Sequence, residues 1–216
     1  MFVRAMTDFP NANDVVFTPA VRRAQERYGS RGKGASLEAR GRFARPITDD
    51  VAAYIALRDS CYLGTASADG RPYIQHRGGP PGFLKLLDGH TLAFADFRGN
   101  RQYISAGNLS ENDRAFLFLT DYTAQARVKL WGRARVVDVA DDPALIERLR
   151  MPGYPAEVER AIVFTIEAWD TNCDQHIPHL VHVDEVAQHL VAAKARNDDL
   201  EAEVARLTAR LRVPQP

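Results

Sequence analysis

From Cys61 onward the chain breaks into short runs rich in β-branched and aromatic residues, each bounded by turn formers. Runs of this kind signal an antiparallel sheet or small barrel rather than a helix-crossed parallel sheet. Ala68-Asp69-Gly70 separates Cys61–Ser67 from Pro72–Arg77, and glycine supplies the positive φ that a tight hairpin needs. Asp88-Gly89-His90 stands in the same way between Phe83–Leu87 and Thr91–Asp96. Ala115–Leu119 and Ala126–Val139 flank a polar turn around Asp121, and Ala161–Trp169 supplies a further strand. A mainly β fold of six or seven antiparallel strands is therefore predicted. Two short helices are expected to interrupt it, over Asn100–Ala106 and over Pro143–Leu149, the second capped by Asp142 with proline in first position.

The flanks read differently. Thr18 to Tyr28 begins with Thr before Pro and ends at Gly29, which predicts a short helix, followed by a glycine- and arginine-rich arm from Gly29 to Arg45. A second helix is expected from Asp49, as cap, to Asp59. In the tail, Val183, Val186, Leu190, Ala193, Asn197, Leu200, Val204, Leu207 and Leu211 follow alternating spacings of three and four. With Val183 at position a of a heptad, Asn197 and Val204 fall at a, and Leu200 and Leu207 at d. This pattern favours a parallel two-stranded coil with one polar residue fixing register, Arg196 at g facing Glu201 at e of the other chain. A single amphipathic helix folded back on its own barrel is the alternative. The expected divisions are residues 1–48 as helix and basic arm, 49–180 as barrel, and 181–216 as the amphipathic helix.

Composition narrows the function classes. The 216 residues are 45% apolar, enough for one packed domain with arms, and Lys+Arg and Asp+Glu balance at 28 each. That balance gives no reason to expect nucleic acid or an anionic membrane as partner. No stretch is long and apolar enough to span a bilayer, and Asp8 with no continuous apolar run argues against a signal peptide. Cys61 and Cys173 are far apart and beside apolar residues, which fits a reducing cytoplasm and buried structural thiols. His176, His179 and His182 recur every three residues, but Pro178 breaks any helix that would align them, so no metal is expected.

An anionic small molecule needs cationic donors and turn amides converging on it. The run Tyr73-Ile74-Gln75-His76-Arg77-Gly78-Gly79 delivers Arg77 to a strand end where glycines allow close backbone approach. Phe94-Ala95-Asp96-Phe97-Arg98-Gly99-Asn100-Arg101-Gln102 ends another strand, turns at Gly99, and is expected to open a short helix at Asn100 and Arg101, a phosphate site in form. Arg127 and Lys129, two apart on one strand, share a face of the sheet.

These segments, with RAFLFL, ARVKLWGRARVV and the Asn-Leu after the short helix, resemble the pyridoxamine phosphate oxidase-like FMN-binding split-barrel proteins from about Asp49 to Trp169. The resemblance implies a homodimer with FMN in clefts between the subunits. It places Gln75, His76 and Arg77 along the ribityl chain and phosphate, and Phe94 and Ala95 against the ring. Asn100, Arg101 and Gln102 would lie at the phosphate, with Arg127 and Lys129 near the ring's polar edge. It implies a flavin-dependent oxidoreductase acting on a nicotinamide or another small-molecule substrate. A non-catalytic flavin-binding or flavin-sensing protein, or a barrel holding a deazaflavin or haem, are the alternatives. The ending Trp169-Asp170-Thr171-Asn172-Cys173-Asp174-Gln175-His176-Ile177 is similar to that of an uncharacterised branch, and the late Arg-x-His pair of the oxidases proper does not occur after Trp169.

Overall fold

The structure, a computed structural model, describes residues 10–171 and 175–211, so Asn172 and Cys173 lie outside the described residues. Seven strands form one antiparallel sheet: β1 Ser60–Ala66, β2 Pro72–Gly78, β3 Lys85–Asp88, β4 Thr91–Phe97, β5 Arg114–Asp121, β6 Ala126–Asp138 and β7 Val158–Thr171. Their order is β2-β1-β5-β6-β7-β4-β3, with β2 and β3 at the two ends and no pairing between them. The sheet is thus open, yet its ends approach each other, because Arg77 on β2 forms an ion pair with Asp96 on β4. Ser105, on the helix α5 (Ile104–Glu111), adds a 2.8 Å hydrogen bond from its hydroxyl to Gln75 Oε1 of β2. The result is the predicted mainly β split barrel with flanking helices.

The pleat sets what each strand shows to the core. On β6, Val128, Leu130 and Ala134 point into the main core, while Arg127, Lys129, Trp131 and Arg133 point to the opposite face. That core is filled by Phe83, Phe94, Phe164, Leu63, Leu117 and Ile162, each at most 1% exposed. Gly132 sits at the irregularity between β6 and β7, where a Cβ would stand 2.1 Å from the Thr165 carbonyl oxygen. A second apolar cluster gathers Leu145, Ile146 and Leu149 of α6 (Pro143–Leu149) onto Ala93, Ala95 and Val163. As predicted, Asp142 caps α6, its carboxylate accepting from the Leu145 amide at 2.9 Å.

Before the sheet come α1 (Ala12–Val16), α2 (Pro19–Arg27), α3 (Arg31–Ala39) and α4 (Asp49–Ala56). The segment expected as an arm therefore contains a helix. Its reason is tertiary: Glu38 of α3 accepts from Arg22 of α2 at 3.0 Å and from Arg31 at 2.5 Å, which offsets the poor helix propensity of Gly32 and Gly34. α4 starts one residue after Thr48 and ends at Ala56, with Val51 and Ile55 buried against the main core.

The chain divides into two compact units, residues 1–121 with 126–175, and residues 122–125 with 176–216. Within the second, the Leu180 amide donates to the Tyr122 carbonyl at 3.3 Å and Gln125 Nε2 to the Ile177 carbonyl at 2.6 Å. Its main element is α7, a continuous helix over Val183–Leu211. Among the described residues no helix is long and apolar enough to cross a membrane.

Candidate functional site

Residues on β2 alternate faces, and their partners on β1 show which face is which. Arg77 pairs with Cys61 and Gln75 with Leu63, both core residues, so Arg77 and Gln75 point inward. His76 between them points outward, edge-on to Tyr62 at 5.6 Å between ring centres. A cleft of about 160 Å³ opens where β2 meets the end of β4. It is lined by Gln75, Arg77, Asp96, Gly99, Asn100, Arg101, Tyr103, Ser105 and Glu159, among others.

The loop after β4 differs from expectation. The helix predicted from Asn100 starts at Ile104, and Asn100, Arg101 and Gln102 form the irregular turn before it. The physical reason is backbone conformation: Arg101 has φ +58° and Tyr103 φ +55°, left-handed values that end any right-handed helix. Each such residue costs on the order of 1 kcal/mol and persists only where neighbours hold it. Asn100 Oδ1 accepts from the Gln102 amide at 3.2 Å, and Arg101 Nε donates to the Tyr103 hydroxyl at 3.1 Å. That hydroxyl donates in turn to Glu159 Oε1 at 3.4 Å, while the Arg160 guanidinium lies 4.6 Å from the centre of the Tyr103 ring. Two consecutive residues of β7 thus clamp Tyr103, and Tyr103 holds Arg101.

Most of the positive charge here is already matched. Asp96 is 8% exposed and takes Arg77 on one carboxylate oxygen, with Arg160 Nε 3.6 Å from the other. Burial nevertheless pushes the Asp96 carboxyl above its ordinary range, against the lowering effect of both arginines. Glu159 receives Arg160 at 2.7 Å and Arg98 at 3.2 Å. Desolvation pushes its carboxyl upward, but the Arg98 hydrogen bond and the Arg160 charge bring it below the usual value. Arg101 is exposed and, among the described residues, ion-pairs with no carboxylate within 4 Å. Among the described residues, Arg77 Nε and Arg160 Nε are buried without a hydrogen-bond partner. The donor set of the cleft therefore suits an anion: the exposed Arg101 guanidinium on a constrained turn and the unpaired Nε–H of Arg77.

The remaining residues singled out from sequence lie elsewhere. Phe94 and Ala95 have fully or nearly buried side chains, Phe94 in the main core and Ala95 in the second cluster, so only their backbone can meet a ligand. β3 pairs with β4 only over Thr91–Ala93, which leaves the β4 edge beyond Ala93 without a strand partner on that side among the described residues. Arg127 and Lys129 stand on the outward face. His76, Tyr62, Phe118, Lys129 and Asp170 form a row directly opposite one another across β2, β1, β5, β6 and β7. Lys129 Nζ is 3.2 Å from Asp170 Oδ2 and 5.3 Å from the centre of the Trp131 ring. The structure brings Gln75, Arg77, Asn100 and Arg101 together around one cleft, leaves Gln102 in the same turn but outside the cleft lining, and puts His76, Arg127 and Lys129 on the other side of the sheet. Sequence reasoning missed Asp96, Tyr103, Ser105, Glu159 and Arg160. Asp96 alone carried a signal, a carboxylate inside an apolar strand run.

No curated protein matches the chain. Among solved structures, HupZ of Group A Streptococcus is 15% identical over 62% of this chain and 99% of its own, with a TM-score of 0.45. An FMN-binding protein from Syntrophomonas wolfei is 14% identical over 73% of this chain and 99% of its own, at 0.42. The FAD binding protein from Mycobacterium smegmatis is 13% identical over 59% of this chain and 98% of its own, at 0.39. The sequence family described as pyridoxamine 5'-phosphate oxidase matches residues 47–173, which takes in the whole sheet and the cleft. That match covers more than half of the chain, and the chain belongs to the pyridoxamine 5'-phosphate oxidase family.

Proposed function

We propose that this chain binds FMN between two copies of itself and serves as a flavin-dependent oxidoreductase for a nicotinamide or another small organic substrate. The observation that carries the reading is the turn Gly99–Tyr103, which brings Arg101 to a cleft also lined by Arg77, whose Nε is buried without a hydrogen-bond partner among the described residues. Arg101, Asn100 and Gln102 would hold the phosphate. The uncovered edge of β4 at Phe94 and Ala95 offers backbone groups to a flat ring. His76, Arg127 and Lys129 cannot reach the cleft of their own chain, since they point away from it; the outward face of a second copy would bring them there. That face carries apolar groups suited to such contact, with Ile74 68% and Tyr62 40% exposed beside Phe116 and Trp131, which pack edge-on.

A bound flavin would supply hydride or single-electron chemistry, and the protein's part is to orient it and set its charge environment. Lys129 would place positive charge beside the ring's polar edge. The free thiol of Cys61 fits a cytoplasmic setting. The decisive measurement is the visible spectrum of the purified protein after FMN is added and excess removed. A retained flavin spectrum, lost in Arg101→Ala, is expected; wild-type protein that stays colourless and shows no quenching of FMN fluorescence in titration refutes the reading. Oxidation of NAD(P)H by the FMN-loaded protein then separates an enzyme from a flavin-binding protein without turnover.

A further inference from the structure

We infer that α7 is one half of a parallel two-stranded coiled coil whose other half is α7 of a second copy of this chain. The helix runs unbroken over 29 residues. At 1.5 Å per residue this is about 43 Å, or roughly four heptads, well past the length below which an isolated helix is marginal in water. The apolar stripe needs a partner to be buried: Val183, Val186, Leu190, Leu200, Val204 and Leu207 are all exposed, Leu190 by 65% and Val204 by 62%. These residues, with Ala193 and Asn197 between them, make a continuous a/d seam without a stutter.

The choice of occupant rests on self-complementarity. Asn197 is the single polar residue of the described seam, and its Nδ2 donates to Glu201 Oε1 at 2.9 Å, one turn on, so the amide already lies toward the seam's flank. In a parallel pair the two Asn197 side chains meet across the axis and can bond each other. In an antiparallel pair position a faces d, and each amide would meet Ala193 or Leu200 and go unpaired. Arg196 at g and Glu201 at e are five apart, the spacing at which g of one strand reaches e of the other, and they are opposite in charge. His189 and Lys194 hold the corresponding positions one heptad earlier and give no such attraction, so specificity is concentrated at the Asn197 layer. A helix from a different protein would have to match this polar layer and this charge pair, whereas a second copy matches them by identity.

The test uses the full chain and two single cysteines. In a parallel, in-register coil Leu200 at d faces its own copy, while Ala202 at f points away. Under mild oxidation Leu200→Cys is expected to form covalent dimer on the order of tenfold faster than Ala202→Cys, because the coil raises the local thiol concentration only at the seam. Wild type oxidised alongside reports any contribution from Cys61 and Cys173. Equal rates for the two variants overturn the inference, even if the protein is dimeric through its sheet. Cross-linking of Leu200→Cys to a different protein overturns it as well. As a second measurement, Asn197→Leu should convert a single dimeric mass in light scattering into a mixture with higher oligomers. An unchanged single dimer would count against Asn197 as the register-setting layer.

Discussion

Arg77→Met removes one partner of the ion pair that ties the two ends of the open sheet, and its cost can be worked out beforehand. Both side chains are buried, Arg77 13% and Asp96 11% exposed, so solvent screens the pair little. Breaking such a pair from one side strands a buried charge, at roughly 3–5 kcal/mol. Arg160 Nε remains 3.6 Å from Asp96 and keeps some compensation, which puts the expected loss near the low end, about 3 kcal/mol. In a chain of this size that is a drop of about 6 to 12 °C in Tm. The pH dependence has a definite sign. Burial already holds the Asp96 carboxyl above its ordinary value, so the folded state binds that proton more tightly than the unfolded state. Ionised Asp96 therefore subtracts from stability as pH rises through the folded value. Without Arg77 the folded value climbs further, and the deficit against wild type should be larger at pH 8 than at pH 5. Arg77→Met/Asp96→Asn, which removes the stranded charge, should recover most of the loss. The assay is urea unfolding of the ligand-free proteins by tryptophan fluorescence at both pH values. A deficit below about 1 kcal/mol, the same deficit at both pH values, or a double variant no more stable than the single one would refute the argument.

Tyr103→Phe removes the hydroxyl between Arg101 and Glu159 and should weaken FMN binding by about 3- to 10-fold, the worth of one hydrogen bond, while leaving riboflavin binding unchanged in fluorescence titration. Gly132→Ala would drive a methyl group against the Thr165 carbonyl and the Phe164 ring, and should cost about 3 kcal/mol in thermal or urea unfolding, because a backbone atom cannot yield as a side chain can. Cys61 is 1% exposed and burial pushes its thiol up to about 12, so in a Cys173→Ser background its reaction with a thiol reagent at pH 8 should proceed only at the rate of unfolding.

The parts legible in the sequence are those governed by local chemistry. Ala68-Asp69-Gly70 announces its hairpin because Gly70 must reach φ +84°, and Asp142-Pro143 announces α6 through cap and first-turn geometry. Period-two alternation predicts the shared face of Arg127 and Lys129, and the same rule, applied to Gln75-His76-Arg77, separates His76 from its neighbours. What the sequence could not display are interactions closed by distant residues. Helix α3 depends on Glu38 meeting Arg22, and the start of α5 depends on Glu159 and Arg160 holding Tyr103 in a left-handed conformation that nothing near Tyr103 demands. Arg77 reads from sequence as a free anchor, and only the curl of the sheet reveals Asp96 as its partner.

β7 is the last strand among the described residues, yet it lies inside the sheet, paired with β6 on one side and β4 on the other. Among the described residues the β3–β4 hairpin pairs with no other strand of the sheet, and Phe94 pairs across to Ile162 only once β7 is made. On the ribosome, then, β1, β2, β5 and β6 can assemble early, while the hairpin bearing Asp96 stays undocked with an apolar edge exposed until residues near 160 emerge. The same late segment carries Glu159 and Arg160, so the cleft is the final part of the domain to form. A nascent chain stalled before Val158 would lack Ile162, Phe164 and Ile166 of the main core and would have no binding site.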